Sequence, residues 1–446
     1  MRACSTTTRR SICNDRPMHR RRSAISICAL ITICVAAASC ASGGSPAVQP
    51  ATTPPSSVEP PSTTAPATTT TILDPAAANA YAEAGTYPVG VTTATMANGV
   101  KVEIWYPAVE GSSGTETYDA HDFTDPAIRA LLTADIAATV TYAATRDAAV
   151  ADGVFPVVLN SHGAVGWRSV SSFLTSHLAS WGMIVVSPDH ASRDLYHLAE
   201  NLLTNTASTA SSVPAETSET SDTSDTSTTL NAAAVAKFAE SVDDLLGSLD
   251  FITAQNSDSA SLFKGHVDLD HVGALGHSAG GGTIVSAALD SRIDGYVSMA
   301  SGIRGGAADL PAKPSFFLSG ALDTFATPSR TYDSFLSVPS PSLYWRIDGV
   351  GHNGFDDLCT LGGGAGIIGI AEASGLGAFL DTSPIIRRLG SDGCLPPAVP
   401  VETTYPIIRH AIAAWFLNLF GVDPVPVGLG PEVSDAYAEP VTIEQR

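Results

Sequence analysis

The most informative part of the sequence is residues 272–289, V-G-A-L-G-H-S-A-G-G-G-T-I-V-S-A-A-L. Its first four residues are apolar and predict a buried strand, whereas residues 281–289 predict a helix. Between them, G-H-S-A-G fits the pattern G-x-S-x-G at a strand-to-helix turn. Glycines at both ends let the strand and helix approach closely, and the sharp turn exposes the serine hydroxyl. Ser278 is therefore the candidate nucleophile, and the alternative is a glycine-rich turn without chemistry.

Strands and helices alternate on both sides of this turn. A hairpin through Asn98-Gly99 is predicted for residues 89–108. Short apolar runs predict buried strands, and longer amphipathic runs predict helices. The strands are residues 155–160, 183–187, 272–275, 295–299, 315–318 and 343–347, and the main helices are residues 169–180, 232–253, 281–289 and 404–420. This alternation predicts an α/β fold with a mostly parallel sheet, helices on both faces, and ligands at the carboxyl ends of the strands.

A nucleophilic serine needs a general base, which in turn needs an orienting acid. Two histidines follow Ser278 in the chain, His352 and His410. His352 lies in the loop G-V-G-H-N-G, directly after a predicted strand, where the base is expected. His410 lies among apolar residues of the predicted closing helix, which indicates a structural role. We therefore predict His352 as the base.

In enzymes with this type of serine turn, the acid lies between the serine and the histidine along the chain. Asp323 directly follows the strand predicted at residues 315–318, in the sequence S-G-A-L-D, and is the preferred acid. Its competitors come too early, come too late or are ordinary loop acids: Asp290, Asp294, Asp348, Asp356 and Asp357.

Two backbone N–H groups are expected to bind the oxyanion that forms when the serine attacks a carbonyl group. The first is the amide of Ala279, the residue after the nucleophile. The second should come from the loop S-H-G-A-V-G after residues 155–160, and we select the amide of Ala164. His162 in this loop is an alternative base, although a structural histidine is favoured.

At these residues the chain resembles the α/β-hydrolases of the platelet-activating-factor acetylhydrolase and dienelactone-hydrolase-like branch. It is also similar to bacterial cutinase-type polyester hydrolases. The resemblance rests on five segments: residues 155–194, the turn at 276–280, Leu322-Asp323-Thr324, Gly351-His352-Asn353 and the closing helix. It implies the α/β-hydrolase fold and ester hydrolysis.

The sequence departs from both groups in one place each. The acetylhydrolases place their acid after the strand that corresponds to residues 295–299, where this chain has Ala300, Ser301 and Gly302. The acid therefore follows the polyester-hydrolase pattern, at Asp323. The tryptophan with which polyester hydrolases stack on aromatic substrates is absent, so the resemblance implies an ester substrate without specifying it.

Residues 1–39 resemble an export signal. Arg20, Arg21 and Arg22 precede an uncharged apolar run that is short for a membrane span, and Met18 is an alternative start. Ala37-Ala38-Ser39-Cys40 resembles the site at which bacterial lipoproteins are cleaved and acylated. Cys40 is therefore the predicted lipid anchor, with an ordinary cleaved signal as the alternative. Pro, Thr and Ser dominate the following residues, so 40–74 are predicted to be the anchor and a solvated linker.

Cys359 and Cys394 are the cysteines that remain after Cys40. An oxidising compartment favours a disulfide between them, and two free thiols are the alternative. The catalytic domain is predicted over residues 75–424, with a Ser/Thr-rich disordered insertion at 205–229, a glycine-rich insertion at 362–378 and a tail at 425–446.

The net charge of −21 opposes binding to nucleic acid. No motif resembles a zinc site or a phosphate-binding loop, so neither metal nor cofactor is expected. The sequence thus predicts an exported serine esterase, outside the cytoplasm, that meets the membrane only through its lipid anchor. Short acyl, phospholipid-like or polymeric esters are the expected substrates. The alternatives are a triglyceride lipase or peptidase of this fold, and a non-catalytic surface binding protein.

Overall fold

The computed structural model describes residues 76–132, 136–197, 224–303, 310–381 and 384–446. Its described strands are β1 (Val89–Thr95), β2 (Lys101–Pro107), β3 (Thr115–Asp119), β4 (Thr139–Ala143), β5 (Thr145–Arg146), β6 (Phe155–Ser161), β7 (Ile184–Pro188), β8 (Val267–His277), β9 (Gly295–Met299), β10 (Ser315–Gly320), β11 (Ser342–Ile347) and β12 (Val441–Gln445). Ten of them form one sheet, in the order β12-β11-β10-β9-β8-β6-β7-β2-β1-β5, and β3 pairs with β4 in a separate ribbon.

The centre of the large sheet is parallel. Strands β11, β10, β9, β8, β6 and β7 all pair in parallel, whereas β2 is antiparallel to β7 and forms the predicted hairpin with β1. Every residue of β7, β9 and β10 is buried, as expected for parallel strands covered on both faces. The predicted α/β fold is therefore confirmed.

Helices cover both faces of this sheet. The described helices are α1 (Pro126–Arg129), α2 (Ser172–Ser180), α3 (Ser224–Ser257), α4 (Ala279–Ala287), α5 (Pro328–Ser337), α6 (Gly366–Ala371), α7 (Gly377–Asp381), α8 (Pro384–Ser391) and α9 (Val401–Leu419). Side chains of α2 and α9 join one apolar core, and those of α3, α4 and α5 join a second core on the opposite face. A smaller cluster, which includes Tyr118, Trp167 and Ile370, links the β3–β4 ribbon to the segment after β11.

Two predicted boundaries differ from the structure. The sequence predicts a tail over residues 425–446, but β12 pairs antiparallel with β11 and closes one edge of the sheet. Its alternating sequence V-T-I-E-Q suits an edge strand with one buried face. Helix α3 begins at Ser224, so the last part of the predicted 205–229 insertion is helical. Residues 198–223 lie outside the described residues, as do the predicted signal, Cys40 and the linker.

The glycine-rich segment 362–378 is folded into short helical turns that include α6. Ile368 and Ile370 on α6 are buried, and Ile370 belongs to the small cluster beside the β3–β4 ribbon. Among the described residues, no helix combines the length and apolar character needed to cross a bilayer.

The chain order of the strands reverses next to β6, because β7 lies on one side of it and β8 on the other. At such a point the loops that leave the carboxyl ends of adjacent strands diverge and open a crevice. The loops after β6 and β8 are those that carry Ala164 and Ser278.

Candidate active site

Ser278 occupies a strained turn between β8 and α4. Its backbone angles are φ 54° and ψ −118°, a region that residues other than glycine rarely adopt. The surrounding packing enforces this conformation. The Ser278 N–H donates to the carbonyl oxygen of Met299 at 2.9 Å. A Cβ atom on Gly276 would lie 2.5 Å from the carbonyl oxygen of Gly280, so the strand and helix meet where glycine is required.

The loop after β6 packs directly against this turn. A Cβ atom on Gly280 would lie 1.9 Å from the carbonyl oxygen of Ser161, and one on Gly163 would lie 3.2 Å from Cβ of Ser278. The two backbones are therefore in contact at the nucleophile. This contact explains why glycine stands at both positions.

The structure brings Ser278, His352 and Asp323 together. Nε2 of His352 lies 2.9 Å from Oγ of Ser278, and Nδ1 lies 2.9 Å from Oδ2 of Asp323. Since the carboxylate can only accept, Nδ1–H donates to Asp323, and Nε2 is left to accept the proton of the Ser278 hydroxyl. His352 and Asp323 are buried, whereas Ser278 is half-buried and open to a substrate.

Asp323 is fixed from its other side by the backbone. Its Oδ1 accepts the N–H groups of Phe325 and Ala326, each at 2.8 Å, while Oδ2 faces His352. These bonds hold the carboxylate plane relative to the imidazole. None of the predicted competitors contacts Nδ1 of His352.

The two predicted oxyanion-binding residues flank the nucleophile. Ala279 is the first residue of α4, where a backbone N–H has no partner within the helix. Ala164 is exposed in the loop after β6, one residue from the Gly163 that abuts Ser278. The loop is anchored on its far side, because the N–H of Val165 donates to the carbonyl oxygen of Arg193 at 2.8 Å.

His162 has both ring nitrogens engaged away from the serine. Nδ1–H donates to the carbonyl oxygen of Gly163 at 2.8 Å, and Nε2 accepts the N–H of His190 at 3.1 Å. Burial lowers the pKa of His162 to about 3, so the ring is neutral. It therefore braces the loop that carries Ala164.

His410 lies far from these groups, in the interior of α9. Nδ1 accepts the N–H of Tyr81 at 3.1 Å, and Nε2–H donates to the carbonyl oxygen of Gly428 at 2.8 Å. Burial lowers its pKa. The ring joins the N-terminal and C-terminal parts of the described chain, as a structural histidine does.

Asp392, which no pattern in the sequence indicates, joins the loops that carry the acid and the base. Its Oδ1 accepts the N–H of His352 at 2.8 Å, and its Oδ2 accepts the N–H of Thr324 at 3.0 Å and the Thr324 hydroxyl at 2.5 Å. The Asp392 carbonyl oxygen also accepts the N–H of Asn353 at 2.9 Å. One carboxylate thus binds both the backbone of His352 and Thr324, which is the residue after Asp323.

The segment that carries Asp392 is tied back by a disulfide. Cys359 and Cys394 are joined, with an S–S distance of 2.05 Å. Cys394 lies two residues after Asp392, and Cys359 lies in the loop that follows His352. The disulfide therefore joins two residues that are 35 positions apart and closes a loop that contains the glycine-rich segment 362–378.

A second histidine–aspartate pair lies beneath His352. Nε2–H of His277 donates to the His352 carbonyl oxygen at 2.8 Å, while Nδ1 lies 3.1 Å from Oδ2 of Asp356. At this distance the Asp356 carboxylate interacts electrostatically with the His277 ring. Burial lowers the pKa of His277, but the neighbouring Asp356 carboxylate outweighs it and the pKa is raised. The pair supports the backbone of the base loop.

Among the described residues, no group of three or more His, Cys, Asp or Glu side chains is arranged to hold a metal ion.

Part of the chain matches the model of a known protein family. The family model for platelet-activating factor acetylhydrolase, isoform II, matches residues 81–296, slightly less than half of the chain. The match includes the loop with Ala164 and the turn with Ser278, and it ends before Asp323 and His352. No curated protein matches the chain. Among solved structures, a ferulic acid esterase from Streptomyces cinnamoneus is similar, with 20% identity, a TM-score of 0.49, and coverage of 80% of this chain and 97% of that one.

Six parallel strands form the centre of the sheet, and one of them, β8, ends at the turn that carries Ser278. The acetylhydrolase model matches the part of the chain that builds this turn. A hydroxyl, an imidazole and a carboxylate converge there in the order that this fold uses. The chain therefore has an α/β-hydrolase fold, and residues 81–296 are similar to the family of platelet-activating factor acetylhydrolase, isoform II.

Proposed function

We propose that the protein hydrolyses esters of short acyl groups through a covalent acyl-enzyme on Ser278. The observation that carries the proposal is the unbroken hydrogen-bond chain from Ser278 through His352 to Asp323, with both links at 2.9 Å. A general base must lie within about 2.6–3.2 Å of the proton that it removes, and Nε2 of His352 meets this condition.

In the first step Oγ of Ser278 attacks the ester carbonyl carbon while Nε2 of His352 takes the hydroxyl proton. The carbonyl oxygen becomes an oxyanion, which the amides of Ala164 and Ala279 bind. Asp323 holds the imidazole in the required tautomer and stabilises the imidazolium. His352 then protonates the leaving alkoxide, the bond to the alcohol breaks, and the acyl group remains on Ser278.

In the second step water replaces the alcohol. Nε2 of His352 removes a proton from water, and the resulting hydroxide attacks the acyl carbon of the ester on Ser278. The same amides bind the second oxyanion. His352 returns the proton to Oγ of Ser278 as the carboxylic acid leaves, and the free enzyme is restored.

A short acyl group is the substrate feature that we favour. The family model that matches residues 81–296 describes an acetylhydrolase, whose acyl group has two carbons. Phospholipid-like acetyl esters and small soluble esters carry short acyl groups, and polyesters consist of short segments joined by ester bonds. A comparison of p-nitrophenyl acetate, butyrate and palmitate with a choline phospholipid that carries an acetyl group would rank them. We expect the acetyl esters to have the highest kcat/KM and the palmitate ester the lowest.

The nucleophile is tested by labelling. A fluorophosphonate should add its mass to the peptide that contains Ser278, and Ser278→Ala should abolish both the label and the hydrolysis of p-nitrophenyl acetate. Ser286→Ala on the same helix α4 is the matched control, because it also removes one hydroxyl. Labelling on another serine, or full activity in Ser278→Ala, would overturn the proposal.

We also propose that the protein is exported and held at the outer face of a bacterial membrane through acylated Cys40. The support is the apolar run that ends at Ala37-Ala38-Ser39-Cys40, together with a disulfide of the kind that persists in oxidising compartments. Expression with radiolabelled palmitate, followed by detergent-phase partition, should give a labelled protein, and Cys40→Ser should remove both the label and the partition. A wild-type protein that remains unlabelled in the cytoplasm would refute this part.

A further inference from the structure

Phe325 lies beside the catalytic imidazole. Its ring centroid is 5.6 Å from that of His352, and its side chain is half-buried. Its position is coupled to the acid, because the Phe325 N–H donates to Oδ1 of Asp323 at 2.8 Å. The ring therefore has a fixed place at the edge of the site, where a bound substrate would pass.

Arg388 covers this ring. Its guanidinium carbon lies 4.6 Å from the ring centroid of Phe325, which is a cation–π contact. Arg388 is exposed and forms no ion pair with a carboxylate of the described residues. Together, the two distances place the guanidinium carbon of Arg388 within about 10 Å of the ring centroid of His352.

The neighbouring Arg387 behaves in the opposite way. Its guanidinium pairs with Glu372 and with Asp381, the latter at 2.9 Å. Acidic residues outnumber Lys and Arg in this chain by 44 to 23, so an exposed arginine meets carboxylates easily. Arg388 nevertheless contacts an aromatic ring, and within the described residues its donors are not engaged by a carboxylate.

We propose that Arg388, held on the ring of Phe325, binds an anionic group of the ester substrate, a carboxylate or a phosphate. This inference rests on the proposed esterase function and names the class of ester that the site prefers. The planar guanidinium presents donors in a fork that matches the oxygens of either group. Stacking on Phe325 restricts the side chain before the substrate arrives, so less conformational entropy is lost on binding.

The overall charge makes such a residue necessary for an anionic substrate. A net charge of −21 repels anions from the surface. The guanidinium of Arg388, which pairs with no carboxylate of the described residues, offsets this repulsion locally, over a distance comparable with the Debye length of about 8–10 Å at physiological ionic strength. An ester that carries its anion within reach of Arg388 would pair with the guanidinium while its carbonyl group lies at Ser278.

The test compares matched esters that differ in charge. One pair is 4-acetoxybenzoate and its methyl ester, and the other is 2-acetoxyethyl phosphate and 2-acetoxyethyl methyl ether. The readout is the ratio of kcat/KM for the anionic ester to kcat/KM for the neutral ester. Within each pair the acyl group is the same, so effects on the triad itself cancel to first order.

We expect R388Q to lower this ratio about five-fold, mainly through a higher KM for the anionic ester, as befits a partly exposed ion pair. R388K should retain part of the ratio. R387Q is the matched control, because it removes the same charge one residue away without touching Phe325. The effect of R388Q should shrink as the salt concentration rises from about 0.02 to about 0.5 M.

Equal ratios in R388Q and wild type, or equal losses in R388Q and R387Q, would overturn the inference. A larger loss in the carboxylate pair than in the phosphate pair identifies a carboxylate as the group that Arg388 binds, and the reverse identifies a phosphate. Failure of the esterase proposal itself would look different, because neither the anionic nor the neutral esters would be hydrolysed by the wild type.

Discussion

The two sides of the catalytic centre are built in different ways. The nucleophile side is local: β8, Ser278 and α4 are continuous in the chain, and their contacts are backbone against backbone. The acid and base side is assembled from loops after β10 and β11, which a carboxylate on a third segment, Asp392, connects. The nucleophile side depends on glycines, which have no side chain, whereas the acid and base side depends on the side chain of Asp392.

This difference implies different failures. A methyl group added at the turn has no space, so the nucleophile side should fail sterically. Loss of a hydrogen bond on the acid and base side should leave the fold intact but allow Asp323 and His352 to move away from their catalytic positions. Variants on each side can test this distinction.

Gly280→Ala should have the largest effect. Its Cβ atom would lie 1.9 Å from the carbonyl oxygen of Ser161, so either α4 or the loop with Ala164 must move. Displacement of the oxyanion-binding amides by about 1 Å should cost roughly a hundred-fold in kcat. Overpacking should also cost about 1–3 kcal/mol in the free energy of unfolding. Ester hydrolysis and urea unfolding measure the two effects.

Gly282→Ala is the matched control, two residues further along α4. The nearest atom to its added Cβ is 3.8 Å away, on Phe238, which is an ordinary contact. Alanine should stabilise this helix by up to about 1 kcal/mol relative to glycine. If Gly280→Ala retains wild-type kcat, the local steric account of the nucleophile side is wrong.

The contrast between the two sides also explains what the sequence could predict. The elbow needs a strand, small residues and a helix in one short stretch, so residues 272–289 alone identify Ser278. His352 and Asp323 follow from the chain order of this fold and from their positions after predicted strands. The structure brings all three within hydrogen-bond reach.

Asp392 could not be found in this way. It lies in the short sequence G-S-D-G-C, remote in the chain from the loops that it joins, and no pattern of spacing or hydrophobicity links it to Thr324 or His352. The same reason explains the error at β12. An edge strand of five residues pairs with β11 across a long separation, and only that pairing distinguishes it from a tail.

Asp392→Asn should lower kcat about ten- to hundred-fold with little change in KM. The asparagine oxygen can still accept the N–H of His352. Its NH₂ group would then face the N–H and hydroxyl of Thr324, which donate to Oδ2 in the wild type. The loop of Asp323 should shift in consequence. Steady-state kinetics measure the effect, and circular dichroism should show an unchanged fold.

Asp348→Asn is the charge-matched control for this variant, since Asp348 is half-buried directly after β11, four residues before His352. It removes one negative charge near the base but none of the hydrogen bonds by which Asp392 joins the two catalytic loops. A fall in kcat of similar size in both variants would mean that net charge, and not positioning by Asp392, is responsible.

Removal of the disulfide should act on stability more than on chemistry. The bond closes a 35-residue separation, for which the chain-entropy model gives about 4 kcal/mol. The double variant Cys359→Ser/Cys394→Ser should therefore unfold at a temperature several degrees lower. Its kcat at low temperature should fall less than that of Asp392→Asn, because the other contacts of Asp392 remain. A thermal midpoint equal to that of the oxidised wild type would contradict this expectation.

Asp357 should have the smallest effect on catalysis, and it should give stability a pH dependence. Its carboxyl group accepts hydrogen bonds from the Ser172 N–H, the Ser172 hydroxyl and the Tyr118 hydroxyl, and joins the segment after His352 to α2. Burial, reinforced by neighbouring Asp356, raises the pKa of Asp357 to about 7 although the bonds from Ser172 oppose the shift. The folded protein therefore binds this proton more tightly than the unfolded chain.

From this sign, the Asp357 contribution to the free energy of unfolding should fall as the pH rises from about 4 to about 7, by at most about 1.4 kcal/mol per pH unit. Above about pH 7 it should be constant. Asp357→Asn lacks the titration, so the stability difference between wild type and variant should shrink over that interval. Urea unfolding near pH 4.5, 6 and 8 measures it, with Asp348→Asn as the control for net charge. A difference that does not change with pH would show that Asp357 is ionised in the folded protein throughout, and that the base side tolerates a buried charge.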